Sequence, residues 1–215
     1  MKKEKALHIS TGIAIAVAVC IILSFIAMPF VVGLGGLVWF ATPRQYITAD
    51  LNEYGNYIGN YNNEIPQEFI NSFFPDAIED NYTNVKYEYR AQKNDTYAYE
   101  AYLEFEITDS TEFQAFITKH IGNNASDFPF DPSFKEYVIS DKMGIRKYPD
   151  DSGLPGYSIQ EAKIGKILYS EETQRIIFVA IGVYDGGFVS TDFLCNYFNR
   201  FHIDPAQHPN VKVMG

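Results

Sequence analysis

Cysteine is almost missing from this chain of 215 residues, which contains only Cys20 and Cys195. Cys20 lies inside a long apolar run, so the remainder of the chain has no second cysteine with which Cys195 could form a disulfide. A domain of this size does not need disulfides if it buries a sizeable core. In a domain that we place outside the cytoplasm, their absence favours a bacterial cell surface, in particular a Gram-positive one.

Signatures of common catalytic sites are also missing. The sequence has no Gly-x-Ser-x-Gly elbow, no phosphate-binding loop, no His-Glu-x-x-His and no cysteine pair for zinc. We therefore expect no cofactor and no metal, and the balance favours a protein that is not an enzyme. His202, Asp204 and His208 come nearest to a ligand cluster, but their spacing fits no standard metal site. We interpret them as part of a solvated tail.

Basic residues are in the minority, with 17 Lys and Arg against 27 Asp and Glu and a net charge of −10. Leaving out residues 1–8, which contain Glu4, Lys2, Lys3 and Lys5, gives 26 acidic and 14 basic residues, or about −12. A surface this acidic repels nucleic acid, so we expect no nucleic-acid partner. Simple solubility of an exposed domain accounts for the acidity.

One long stretch, residues 9–41, contains no charged residue at all. A helix needs about 20 apolar residues to cross the hydrocarbon core of a bilayer, so we predict a transmembrane anchor that contacts membrane lipid. Lysines precede the run, whereas only Arg44 follows it closely. The positive-inside rule then places residues 1–8 in the cytoplasm and the C-terminal domain outside, in a single-pass protein of the plasma membrane.

Two other interpretations of this run start from its small residues and its cysteine. The charged N-terminus and the triplet Ala16–Ala18 resemble a cleavable signal peptide, but the apolar run continues far beyond that triplet. Cys20 lies where a lipidated cysteine is often found, but Val19 stands where that signal normally has a small residue. We therefore favour a retained anchor.

Residues 42–65 form a juxtamembrane segment rich in tyrosine, asparagine and glycine, with Gly-Asn-Tyr repeated at 55–57 and 59–61. This composition resembles that of adaptable recognition surfaces. Tyr54, Tyr57 and Tyr61 are therefore our candidate binding surface. The alternative is that these rings pack against the domain and the glycines allow turns.

We predict one α+β domain over residues 66–201. We predict an extended tail over residues 202–215. Strict alternation of apolar and polar residues predicts one β-hairpin over 84–107, and a second hairpin follows over 163–184. Between the two hairpins we predict a loop that is rich in aspartate and proline, with a short strand over residues 134–139. Helices are predicted after Pro66, after the N-cap Asp109 and near the C-terminus. The predicted fold is a single N-terminal transmembrane helix plus one α+β extracytoplasmic domain, with an antiparallel sheet and helices mainly on one face.

These features leave the ligand open. The first interpretation is a membrane-anchored, non-catalytic binding module whose partner is a wall polymer or another envelope protein. The second is a membrane-anchored hydrolase with carboxylate chemistry, which requires two acids with perturbed pKa values in one cleft. The third is an accessory subunit of a membrane complex, in which the anchor itself makes the contact.

Overall fold

A computed structural model describes residues 44–54, 67–93, 97–148, 157–184 and 195–214. They form a mixed domain dominated by one eight-stranded sheet, with few helices. The strand order is β1-β2-β3-β7-β6-β5-β4, and β8 also pairs with β5. The strands are β1 Arg44–Thr48, β2 Tyr82–Lys93, β3 Tyr97–Ile107, β4 Ser126–Asp127, β5 Lys135–Lys147, β6 Tyr157–Ser170, β7 Arg175–Tyr184 and β8 Val211–Met214. The α-helices are α1 Gln67–Asn71, α2 Ser110–His120 and α3 Cys195–Arg200.

Both predicted hairpins are confirmed. β2 pairs with β3, and β6 pairs with β7, in each case antiparallel. β3 and β7 also pair with each other, so the two hairpins form one continuous sheet with these two strands at its centre. Every residue of Ile176–Val183 is buried, as its unbroken apolar sequence predicts for a strand covered on both sides.

The sheet separates two hydrophobic clusters because successive side chains of a strand point to opposite faces. On the first face, Tyr99, Leu103 and Phe105 of β3 pack with buried residues of α1 and α2. On the second face, Ala98 and Tyr102 of the same strand belong to a cluster that α3 completes. Of the three α-helices among the described residues, two therefore lie on the first face and one on the second.

Helix α2 begins after Asp109, the predicted N-cap, and ends before a glycine, the residue type that commonly follows the C-terminus of a helix. Asp109 is the N-cap, and its side chain accepts hydrogen bonds from the backbone N–H groups of Thr111 and Glu112. After the helix, Gly122 has a φ of 63° and its N–H donates to the carbonyl of Ile117. Glycine adopts this left-handed conformation without a steric cost, which explains its position here.

The sheet extends beyond the predicted limits of 66–201 at both ends. β1 lies in the segment predicted as a tether, and it pairs antiparallel with β2. β8 lies in the predicted tail, and it pairs with β5 in parallel. The prediction of an extended tail over 202–215 is therefore wrong. Strand pairing gives backbone groups in both segments partners that the hydrophobic pattern of such short stretches does not indicate.

The strand predicted over 134–139 is also longer than expected and continues to Lys147. Its register against β6 shifts between Val138 and Ser140 and again between Gly144 and Ile145. Each shift is an irregularity of the β-bulge type, which interrupts the alternation of buried and exposed residues. The interrupted pattern explains why the sequence predicts a loop here.

No helix in the part of the chain that the structure describes is long and apolar enough to cross a membrane. The predicted anchor, residues 9–41, lies outside the described residues.

Candidate functional site

Glu100 places a carboxylate inside the second face of the sheet, where the side chain has no exposed surface. It lies on β3 between Arg90 of β2 and Ile181 of β7. Its Oε1 accepts a hydrogen bond of 2.9 Å from the backbone N–H of Tyr197, and Oε2 accepts two of 3.2 Å from the backbone and side chain of Asn196. Burial raises the pKa of Glu100 to about 7, although these hydrogen bonds and Arg90 act in the opposite direction.

Glu104 lies four residues further along β3 on the same face and is the centre of an ion-pair network. Its Oε2 accepts a hydrogen bond of 2.7 Å from the hydroxyl of Tyr102. Its Oε1 lies 3.1 Å from Arg200 and 3.4 Å from Arg175. Glu104 itself is almost fully buried, whereas both arginines are partly exposed. The network joins the sheet to α3 at the edge of the second face.

A second group of buried charges is centred on Lys166 of β6, whose side chain is 1% exposed. Its ammonium group lies 2.9 Å from Glu136 Oε2 and 3.3 Å from Asp141 Oδ2, both on β5. We call these three residues the Lys166 cluster. Glu136 and Asp141 are an odd number of residues apart, so a regular strand would place them on opposite faces. The irregularity at Ile139 brings both to the same face and so allows the cluster to form.

We define the C-terminal strap as Cys195–Met214. It covers both Glu100 and the Lys166 cluster. It contains α3, a 3₁₀ turn over Pro205–Gln207 and β8. Asn210 donates a hydrogen bond of 2.8 Å to Asp141 Oδ2, and His208 Nε2 lies 3.3 Å from Asp141 Oδ1. The His208 side chain is fully buried, and among the described residues neither its ring nitrogens nor the hydroxyl of Tyr197 has a hydrogen-bond partner. Burial lowers the pKa of His208, while Asp141 raises it.

A polar groove opens on the other side of the domain, between α2 and β4. Its volume is about 500 Å³. Amide and hydroxyl side chains line it, from Gln114 and Thr118 on α2, Asn123 in the following turn and Ser126 on β4. Tyr169 and an exposed ion pair of 3.0 Å between Lys135 and Glu171 complete the wall. The groove therefore offers hydrogen-bond donors and acceptors to an uncharged polar ligand.

The structure gives Tyr54 of the predicted binding surface a buried position, with only 3% of its surface exposed. Its hydroxyl donates a hydrogen bond of 2.6 Å to the carbonyl of Pro75, and its ring packs edge-on against Tyr87 at 5.2 Å. Burial raises its pKa well above the ordinary value of 10.0. Tyr54 is thus a core residue. Tyr57 and Tyr61 lie outside the described residues, and for them the docking surface stays a prediction.

The histidine and aspartate residues near the C-terminus have separate roles. Asp204 is the N-cap of the 3₁₀ turn, while His202 is exposed and His208 is buried beside Asp141. Their interpretation as a solvated tail is therefore wrong for His208. Among the described residues, no group of three or more His, Cys, Asp or Glu side chains is arranged to hold a metal ion.

The sequence pattern does not reveal the buried charges of the second face. Glu100 and Glu104 occupy positions that the alternation of β3 assigns to a face exposed to water. The sequence around Lys166 likewise does not show that this lysine is buried. The signal that could have found them is the amphipathic C-terminal helix, because its apolar residues need a sheet face to pack against.

Comparison of the chain with protein-family models, with curated proteins and with solved structures finds no significant match in any of the three.

Proposed function

We propose that this chain is a membrane-anchored binding module of the cell envelope, with its sheet domain outside the plasma membrane and the polar groove as its ligand site. The observation that carries the proposal is the groove itself, which is open and lined by polar side chains. The buried carboxylates, in contrast, are bonded to the C-terminal strap or to Lys166. This arrangement supports binding over carboxylate hydrolysis, because Glu100 is sealed from solvent.

The uncharged run of residues 9–41 supports the anchor. The proposed topology is a single pass with the N-terminus in the cytoplasm. Epitope tags at the two ends of the full chain test it in intact bacterial cells treated with protease. We expect loss of the C-terminal tag and survival of the N-terminal tag. The reverse pattern, or survival of both tags, contradicts an external domain.

The ligand that best matches the groove is a polar segment of a wall polymer. The wall contains the amides of Gln114 and Asn123 and the hydroxyls of Thr118 and Ser126, which can hydrogen-bond to sugar hydroxyl and acetamido groups. Asp127 adds a negative charge next to the Lys135–Glu171 pair, so a strongly anionic polymer is disfavoured.

Co-sedimentation of the full chain with purified cell-wall glycan tests the ligand. The double variant Gln114→Ala/Asn123→Ala removes two groove amides, and we expect it to lose most of the binding. Asn71→Ala is the matched control, because Asn71 is an exposed amide on α1 outside the groove. Equal binding by the double variant and the control would exclude the groove as the ligand site.

A further inference from the structure

Two buried ionisable groups, one acid and one base, lie where the C-terminal strap contacts the sheet. Near its start, the carboxylate of Glu100 accepts three hydrogen bonds from Asn196 and Tyr197. Further along, the strap's own imidazole, His208, lies buried against Asp141. One contact involves an acid and the other a base, and both lose contact with water when the strap is closed.

We propose that these two contacts make closure of the C-terminal strap proton-linked in opposite directions, so that the two titrations offset each other where their pH ranges overlap and each appears alone when the other group is removed.

The acid contact favours closure at lower pH. A buried carboxyl group without an ion-pair partner in contact retains its proton more strongly than a solvated one. The groups that act on Glu100 are Arg90 from β2 and the amides of Asn196 and Tyr197 from α3, while Ile181 faces it from β7. Opening the strap exposes Glu100 to water and releases its proton. Opening is therefore increasingly favoured as the pH rises from 4.5, the ordinary pKa of this group, to about 7, its pKa in the closed domain.

The basic contact favours closure at higher pH. The groups that act on His208 are Asp141 from β5 and Lys166 from β6, and the ring of Phe130 lies 6.1 Å away. Within the part of the chain that the structure describes, neither ring nitrogen has a hydrogen-bond partner. An imidazole in this position is held neutral, whereas the same ring in water takes up a proton near pH 6.5. Opening is therefore increasingly favoured as the pH falls below 6.5.

Opening would uncover charged groups that closure hides. The Lys166 cluster lies directly beneath His208 and Asn210, and the N–H groups at the start of α3 lie over Glu100. In a domain outside the cell, where the pH is not buffered by the cytoplasm, closure of the strap above pH 6.5 would thus depend on the titration of Glu100, because His208 is neutral there in both the open and the closed state.

Amide hydrogen exchange of the full chain in lipid nanodiscs, between pH 5 and 8 and corrected for intrinsic rates, tests the proposal. Two variants remove one titration each and keep a hydrogen-bonding side chain. In His208→Gln, only the acid contact remains, and we expect exchange of strap amides to increase on the order of 50-fold from pH 5 to pH 8. In Glu100→Gln, only the basic contact remains, and we expect strap exchange to decrease over the same range.

The matched control is Glu106→Gln, which neutralises a carboxylate on the same strand that pairs with Arg175 and does not contact the strap. This variant should retain the wild-type pH profile. Amides of β3 and β7 serve as the internal reference for global unfolding. Slopes of the same sign in the two variants, or slopes unchanged from wild type, overturn the proposal.

A measurement on the wild-type chain does not depend on the folding of any variant. The ring nitrogens of His208, followed by NMR, should show that the imidazole takes up its proton below pH 6.5. Protonation of His208 at or above its ordinary pKa would overturn the basic half of the proposal.

Discussion

The two faces of the sheet are covered by different chemistry. On the first face, aromatic and aliphatic side chains of the strands pack with α1 and α2, and Phe178 contacts the rings of Phe73, Phe74 and Phe105. On the second face, carboxylates and a lysine are buried among apolar residues, and the C-terminal strap supplies hydrogen-bond donors to Glu100 and Asp141. The first face needs only an apolar cover, whereas the second needs one particular segment of the chain.

This difference has consequences for stability. Packing between apolar side chains does not depend on their protonation, so the free energy contributed by the apolar centre of the first face should change little with pH. Buried charges depend on their partners and on pH, because a charge without a partner is costly in the interior. Removing residues from the two faces should therefore give losses of similar size but different pH dependence.

The largest loss is expected from Phe178→Ala at the centre of the first face. Its ring is fully buried, so truncation leaves a cavity and should lower the free energy of unfolding by about 3–5 kcal/mol. Urea denaturation of the full chain in detergent measures this loss, which should be equal at pH 5 and pH 8. Val138→Ala, at a position that is 41% exposed, is the control and should change stability little. A strong pH dependence of the Phe178→Ala loss would contradict the apolar account.

Lys166→Met sharpens the comparison on the second face. The substitution keeps a long side chain but leaves Glu136 and Asp141 without their cation, and we expect a loss of about 3 kcal/mol at pH 7.5. Urea denaturation at pH 7.5 measures it. The double variant Glu136→Gln/Lys166→Met removes the nearer carboxylate charge together with the cation, so it should lose less than Lys166→Met alone. An equal or greater loss in the double variant would show that Lys166 acts through packing alone.

A smaller effect is expected where a ring lies over a glycine on the first face. A Cβ atom added to Gly182 would collide with the ring of Tyr99, its cross-strand neighbour. We expect Gly182→Ala to cost about 1–3 kcal/mol, measured as the shift in the urea midpoint. At Gly122 a Cβ would meet no atom within 4 Å, so Gly122→Ala reports only the strain of a φ of 63°. An equal or greater cost at Gly122 would contradict close packing at Gly182.

The smallest effect concerns Tyr54. Tyr54→Phe keeps the ring against Tyr87 and removes the hydrogen bond to Pro75, so we expect a loss of about 1 kcal/mol. Thermal denaturation measures it. Tyr54→Ser removes the ring as well and should lower the melting temperature much further. If neither variant changes the melting temperature, Tyr54 is not the core residue that the structure shows.

Much of the first face could be predicted from the sequence. The alternation through Tyr87 and Tyr89 on β2 and through Leu103 and Phe105 on β3 predicts the hairpin and the face that is buried, and the structure agrees with both. The N-cap at Asp109 and the stop at Gly122 follow from local chemistry, which depends on few neighbours. Each of these features is determined by residues that lie close together in the sequence.

The second face could not be predicted in the same way. Glu100 is bonded to residues 96 and 97 positions later in the chain. Asp141 lies on the same face as Glu136 because the strand is irregular between them. No residue type in this stretch predicts that irregularity. The alternation of β3 assigned Glu100 and Glu104 to water, because a pattern of polar residues does not show whether a distant segment will cover them.

The most direct test is the titration of Glu100 in the wild-type chain. It asks whether the second face buries charge beneath the C-terminal strap. The side-chain carboxyl carbon of Glu100, observed by NMR in the full chain, should titrate with a midpoint of about 7. A midpoint near 4.5, the ordinary value for this group, would mean that water reaches the carboxylate and that the strap does not cover this face as described.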